Sequence, residues 1–145
     1  MFKHILVPTD GSELSAKCIS QAIEFAKSLS ARVTGITVSQ PFHVFSADPL
    51  MVTDTEDRYQ ADCEKRAAGY LKPLLDAAAA AGVPCQGEHR FATHPYEAVI
   101  AAAMEKGCDA VCMASHGRRG MQALMLGSET VKVLTHSKIP VLVLR

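Results

Sequence analysis

The chain has no long apolar run, no surplus of either charge and no regular cysteine pattern, and each absence removes a class of protein. A membrane-spanning helix takes about 20 consecutive apolar residues, and no stretch of the 145 residues approaches that. Fifteen basic residues balance fifteen acidic ones. That leaves no overall positive field to draw nucleic acid, which is therefore not an expected partner. The opening MFKHILVPTDG carries only a short apolar run before Pro8, too little for a secretory leader, and it lacks a small-residue cleavage site. Five cysteines, an odd number at irregular spacing, fit a reducing cytoplasm better than a disulfide framework. Cys108, Cys112 and His116 are spaced by four, as helical zinc ligands would be. Cys112, however, sits in the apolar run AVCMA, which reads as a strand, where that spacing spreads side chains over about 13 Å. Cys18 and Cys112 are instead expected as small core residues. There is no Walker lysine and no visible nucleophile–base pair.

What is present is an alternation of strand and helix patterns. The length suits one domain, and a hydrophobic content of 48% can fill its core. His4 to Pro8 is a continuous apolar run stopped by proline, as in a central parallel strand. Asp10-Gly11-Ser12 supplies a turn and N-cap, after which Leu14, Cys18, Ala22, Phe25, Ala26 and Leu29 mark a helix from about Glu13 to Ser30. Arg32 to Val38 is β-branched, and Pro41 closes it. Pro41 to Thr55 reads as a long connection, a lid or a contact surface carrying Phe42, Val44, Phe45, Leu50, Met51 and Val52. A helix is expected from Glu56 to Ala81, with Pro73 placed to kink it and Gly82 to end it. Cys85 to Phe91 is a polar strand suited to a sheet edge. A helix from Thr93–Pro95 to Lys106, a strand Ala110 to Ala114, a helix Ser128 to Thr135 and a terminal strand Pro140 to Leu144 complete the series. Such alternation predicts a single α/β domain with a five-stranded parallel sheet and helices on both faces. Ligands of such sheets bind beyond the strand ends, where strand order reverses.

The chemistry concentrates after Ala114. The strand runs into SHGRRGMQALML and then Gly127-Ser128 at a helix start. Glycines, arginines and a helix N-terminus brought together hold phosphate, because unpaired N–H groups and the helix dipole face the anion. Consecutive loop residues tend to point apart, and of the two arginines Arg118 is assigned to the phosphate. Asp10 beside a phosphate is repulsive unless a cation such as Mg²⁺ or Mn²⁺ intervenes. His116 lies in the loop without an identified carboxylate partner, so no catalytic role is assigned to it. The last strand, PVLVL, has no following helix to cover its edge, so a homodimer through antiparallel terminal strands is expected.

At these residues the chain resembles the universal stress protein family. ILVPTDGSELS resembles that family's first strand and turn, and SKIPVLVL its end. The motif of the ATP-binding members is glycine, two residues, glycine, nine residues, then glycine and serine or threonine. Here it reads Ala114-Ser115-His116-Gly117, Arg118 to Leu126, and Gly127-Ser128, with alanine in place of the first glycine. The resemblance implies a Rossmann-like sheet of order 3-2-1-4-5. Its crevice would be flanked by Pro8 to Ser12, with Thr9 and Asp10 among them, on one side and by Ala114 to Gly117, including His116, on the other. It places Asp10 at the ribose or a metal-bound phosphate, and the Val38 backbone at adenine. Met113 and Ala114 would line the base and ribose, with Gly117, Arg118, Gly127, Ser128 and Glu129 around the phosphates. The implied function is a cytoplasmic, dimeric stress or signalling protein that binds ATP or another adenine nucleotide and hydrolyses it slowly at most. Its rivals are a nucleotide-free interaction module, which Ala114 favours, and an adenylyl-transferring enzyme, which the missing Ser-Gly-Gly loop disfavours.

Overall fold

The computed structural model describes residues 1–43, 49–117 and 125–145, with 49–54 described by backbone alone. Strand β1 (His4–Pro8) leads into helix α1 (Glu13–Ser28), strand β2 (Arg32–Ser39) and helix α2 (Pro49–Ala81). Strand β3 (Cys85–Phe91), helix α3 (Pro95–Glu105), strand β4 (Ala110–Ala114), helix α4 (Ser128–His136) and strand β5 (Val141–Leu144) follow. The strands form one parallel sheet of order β3-β2-β1-β4-β5. This is the α/β sheet that the alternating pattern and the family resemblance imply.

Side-chain alternation along β1 builds two cores. Ile5 and Val7 face one way and pack with Val33, Ala110 and Cys112 of neighbouring strands, Ile19, Ala22, Ile23 and Ala26 of α1, and Leu74 and Ala78 of α2. Leu6 faces the other way and packs with Ile36, Val111 and Met113, under Val99, Ala102 and Ala103 of α3 and Val133 of α4. Helices thus cover both faces, as parallel strands that are apolar on both sides require.

Several boundaries differ from the sequence pattern, the ends of β2, α3 and α4 by one residue each. Helix α1 ends at Ser28, because Leu29 closes the last turn and Ser30 takes a left-handed conformation (φ 52°), from which Ala31 N–H returns to the Ala26 carbonyl at 2.9 Å. Helix α2 begins at Pro49, not near Glu56, so Leu50, Met51 and Val52 belong to a helix and the expected long connection is much shorter. Proline is tolerated in a first helical turn, where its missing N–H has no intrahelical partner to lose. Val44 and Phe45 lie outside the described residues. The same helix continues through Pro73 as a single element. Strand β5 starts at Val141, with Pro140 contributing its carbonyl to Val111 N–H at 2.9 Å.

Candidate functional site

Strand order reverses between β1 and β4, whose registers pair Ile5 with Ala110 and Leu6 with Val111. Beyond their carboxyl ends the chain departs to α1 on one face and toward α4 on the other. A cavity of about 880 Å³ opens there, of a size that takes a small organic ligand. Its floor is apolar, with Ile36, Val99, Met113 and Val133 from one core. Its rim carries the hydroxyls, carboxylates and glycines of the two loops.

The loop after β1 is held by short-range polar bonds. Thr9 N–H donates to the Ile36 carbonyl at 2.9 Å, and the Thr9 carbonyl accepts from the Thr37 hydroxyl at 2.8 Å. Thr9 Oγ1 accepts from Ser15 Oγ at 2.8 Å. Asp10 Oδ1 accepts from Ser12 N–H at 2.9 Å, which is the bond of an Asx turn, and Ser12 caps α1 by accepting from Ser15 N–H at 3.2 Å.

The loop after β4 is stitched to α4. Ser115 N–H donates to the Leu144 carbonyl at 2.7 Å, and the Ser115 carbonyl accepts from Gly127 N–H at 2.8 Å. The Ala114 carbonyl accepts from Thr130 Oγ1 at 3.1 Å. Helix α4 starts without a side-chain cap, and the residues of its first turn, Ser128 to Thr130, line the cavity. Its unpaired N–H groups are therefore presented where an anion would sit.

Both described motif glycines sit at points of close approach. A side chain at Gly117 would strike Asp10 Oδ2, so the two loops touch at that point. One at Gly127, whose φ is −63°, would sit 3.2 Å from His116 Cα and 3.4 Å from the Ser115 carbonyl oxygen. Among the described residues other than glycine, only Ser30 has positive φ, so Ala114 holds its place without a glycine conformation. Alternation along β4 puts its methyl on the face of Ala110 and Cys112.

Pro8, Thr9, Asp10, Val38, Met113, Ala114, His116, Gly117, Gly127, Ser128 and Glu129 all line this one cavity. Arg118 lies outside the described residues. The Glu129 carboxylate is turned toward α3, where Oε2 accepts from Tyr96 N–H at 2.9 Å, while Oε1 accepts from Lys132 Nζ of its own helix at 3.0 Å. It caps a helix whose own N-cap, His94, makes no side-chain bond. Cys108 and Cys112 belong to opposite cores. Burial pushes the Cys108 thiol up to about 11 and the Cys112 thiol up to about 12, as suits inert core thiols.

A whole wall escapes sequence reasoning. Tyr59, Cys63, Arg66 and Tyr70 of α2 line the cavity, at spacings of four, three and four that place them on one helix face. Tyr59 donates to the Gln40 carbonyl at 2.8 Å, and Arg66 Nη2 donates to Cys63 Sγ at 3.2 Å. Burial first, and then the Cys63 thiol, raises the Tyr59 phenol above its ordinary range. Tyr70 lays its ring against Gly11. The helical spacing was the available signal, but nothing in it says which face of α2 meets the crevice.

The family model described as the universal stress protein family matches residues 1–145. The chain belongs to that family. It is 29% identical over 150 residues to universal stress protein YxiE of Bacillus subtilis, with all of both chains covered. Among solved structures, MJ0577 of Methanocaldococcus jannaschii superposes with a TM-score of 0.83 at 24% identity, covering 99% of this chain and 96% of that one. A universal stress protein in complex with cAMP (TM-score 0.69, 22% identity, 99% and 97% covered) shares the fold. So does one from Archaeoglobus fulgidus in complex with dAMP (0.67, 16%, 99% and 98%). Among the described residues no helix is long and apolar enough to cross a membrane.

Proposed function

We propose that the chain is a single adenine-nucleotide-binding domain whose ligand occupies the crevice between β1 and β4. The observation that carries this reading is the cavity itself. It lies at the reversal of strand order, with an apolar floor for a base and an uncapped helix start for a phosphate at its rim. Two relatives of the same fold are complexes with cAMP and dAMP, which supports the ligand class. Helix dipoles contribute only about 0.3–1 kcal/mol to an anion. Micromolar affinity takes about 8 kcal/mol, so most of the binding comes from base burial and backbone N–H bonds.

ATP is the proposed ligand by family resemblance, with AMP, ADP and cyclic AMP as close competitors. A divalent cation fits only as a companion of the nucleotide. Asp10 is the carboxylate that the two loops bring together, and among the described residues no cluster of three or more acidic, histidine or cysteine side chains could hold a metal. The protein acts through the occupancy of this site in a stress response or signal, with slow hydrolysis at most. Its five free cysteines suit a reducing cytoplasm. It assembles as a homodimer through β5, which sedimentation analysis checks.

Calorimetry and equilibrium dialysis with AMP, ADP, ATP and cyclic AMP, with and without Mg²⁺, test the reading. Saturable binding of one nucleotide per chain is expected. Binding of none of the four would overturn it.

A further inference from the structure

Helices α2 and α4 cover opposite faces of the sheet, since Leu74 and Ala78 of α2 pack with Ile5 and Val7 while Val133 of α4 packs with Leu6. Both line the same cavity, so a ligand lying across the strand ends has the first turn of α4 on one side and α2 on the other. Arg66 is the cation that α2 brings there. Its stretch of helix is pinned at two points, where Tyr59 donates to the Gln40 carbonyl at 2.8 Å and Tyr70 packs against Gly11. At about 1.5 Å per residue these anchors stand about 10 Å and about 6 Å from Arg66 along the helix axis. Long helical side chains lean toward the N-terminus. The Arg66 guanidinium accordingly reaches back one turn, where Nη2 donates to Cys63 Sγ at 3.2 Å. Cys63 is 1% exposed and lines the cavity, so this bond holds the guanidinium at the cavity wall.

The charge held there is unanswered. A thiol is a weak acceptor, and among the described residues no carboxylate pairs with Arg66. Lys132, which also lines the cavity, is committed to Glu129 at 3.0 Å. The planar fork of an arginine matches a carboxylate or a phosphate. Two anion-binding elements therefore face each other across the cavity, the backbone N–H groups that open α4 and the fork of Arg66. One phosphate engages the first. Engaging both takes a chain of anionic groups, and about 880 Å³ leaves room for one, lying toward the upper end of the roughly 300–1,000 Å³ of small-molecule sites.

We propose that Arg66 is a specificity-determining residue that takes the outer phosphoryl groups of a nucleoside di- or triphosphate, and so selects ATP and ADP over AMP. The role rests on the nucleotide reading above and adds to it a residue of α2, outside the glycine motif.

Calorimetry with AMP, ADP and ATP on the native chain, Arg66→Ala and Arg66→Lys tests it, in the absence of divalent cations so that none masks the phosphates. Thermal unfolding checks that the variants are folded. The native chain binds ATP about tenfold or more tighter than AMP. Arg66→Ala loses that preference and keeps native affinity for AMP, and Arg66→Lys, which retains the charge without the fork, keeps part of it. In the native chain the Nε–H resonance of Arg66 shifts on adding ATP and stays in place with AMP. An unchanged ATP-to-AMP ratio in Arg66→Ala, or equal loss of both ligands, would overturn this role while leaving nucleotide binding intact. A native chain that binds none of the three would overturn both.

Discussion

At the level of single residues, the glycine motif has two origins that sequence spacing cannot separate. Gly117 and Gly127 stand where the two loops and the start of α4 approach closely, so close packing alone accounts for a small residue at either position. Ala114 tolerates its extra methyl because its backbone is not left-handed and its side chain belongs to the sheet face of Ala110 and Cys112. Ala114→Gly should therefore leave nucleotide affinity within about threefold of native. Gly117→Ala must displace the Asp10 carboxylate, and should lower affinity about tenfold or more. Parallel dialysis of the two variants checks the pair. A large gain in Ala114→Gly, or native affinity in Gly117→Ala, would contradict the assignment. The motif residues were legible because their spacing is local to one loop and one helix start. Arg66 and Cys63 were not, since only the tertiary packing of α2 brings them to the crevice.

The elements themselves were the most legible layer. Each inner strand is a short apolar or β-branched run closed by proline, a turn or a glycine, and β3 was readable as an edge from its polar sequence. The start of α2 was hidden because Pro49 signals a loop as readily as a first helical turn. Glu129 shows a further limit. Its place in the motif points to phosphate, whereas its carboxylate reaches another helix, a contact between residues 33 positions apart. Strand β5 is the other edge, hydrogen-bonded to β4 alone, with Leu142 37% exposed on it and Val131 and Leu134 exposed on α4. An apolar strand with a free edge is a template for pairing with another chain, and a twofold axis is the simplest closed way for two copies to use it. Sedimentation should show a dimer that Leu142→Lys and a proline at Val143 together dissociate. A native chain that stays monomeric at high concentration would contradict it.

The whole molecule carries a pH dependence in two histidines of its sheet. His4 is buried on β1, its Nε2 bonded to Thr34 Oγ1 at 2.8 Å. Burial, reinforced by the Arg32 charge, lowers its pKa below the ordinary 6.5. His89, bonded to Ser39 Oγ at 2.8 Å, is lowered by burial as well. Below pH 6.5 the unfolded chain takes up protons at these sites before the folded chain does. Stability is therefore full above that pH and falls as the pH drops through it. Urea unfolding at about pH 7.5 and about pH 5.5 should show this loss, with a shallower slope in His4→Gln and the remainder due partly to His89. A slope unchanged by the substitution would remove His4 from the account.

The central proposal is that the crevice between β1 and β4 is an adenine-nucleotide site. Its most direct test is a nuclear magnetic resonance titration of the labelled chain with AMP, following the backbone amides. The amides of Thr9 to Ser12, of His116 and Gly117, and of Ser128 to Thr130 should shift together and saturate, while those of β3 and the β5 edge stay in place. Saturating nucleotide that moves none of them, or moves only residues outside the crevice, would contradict the account.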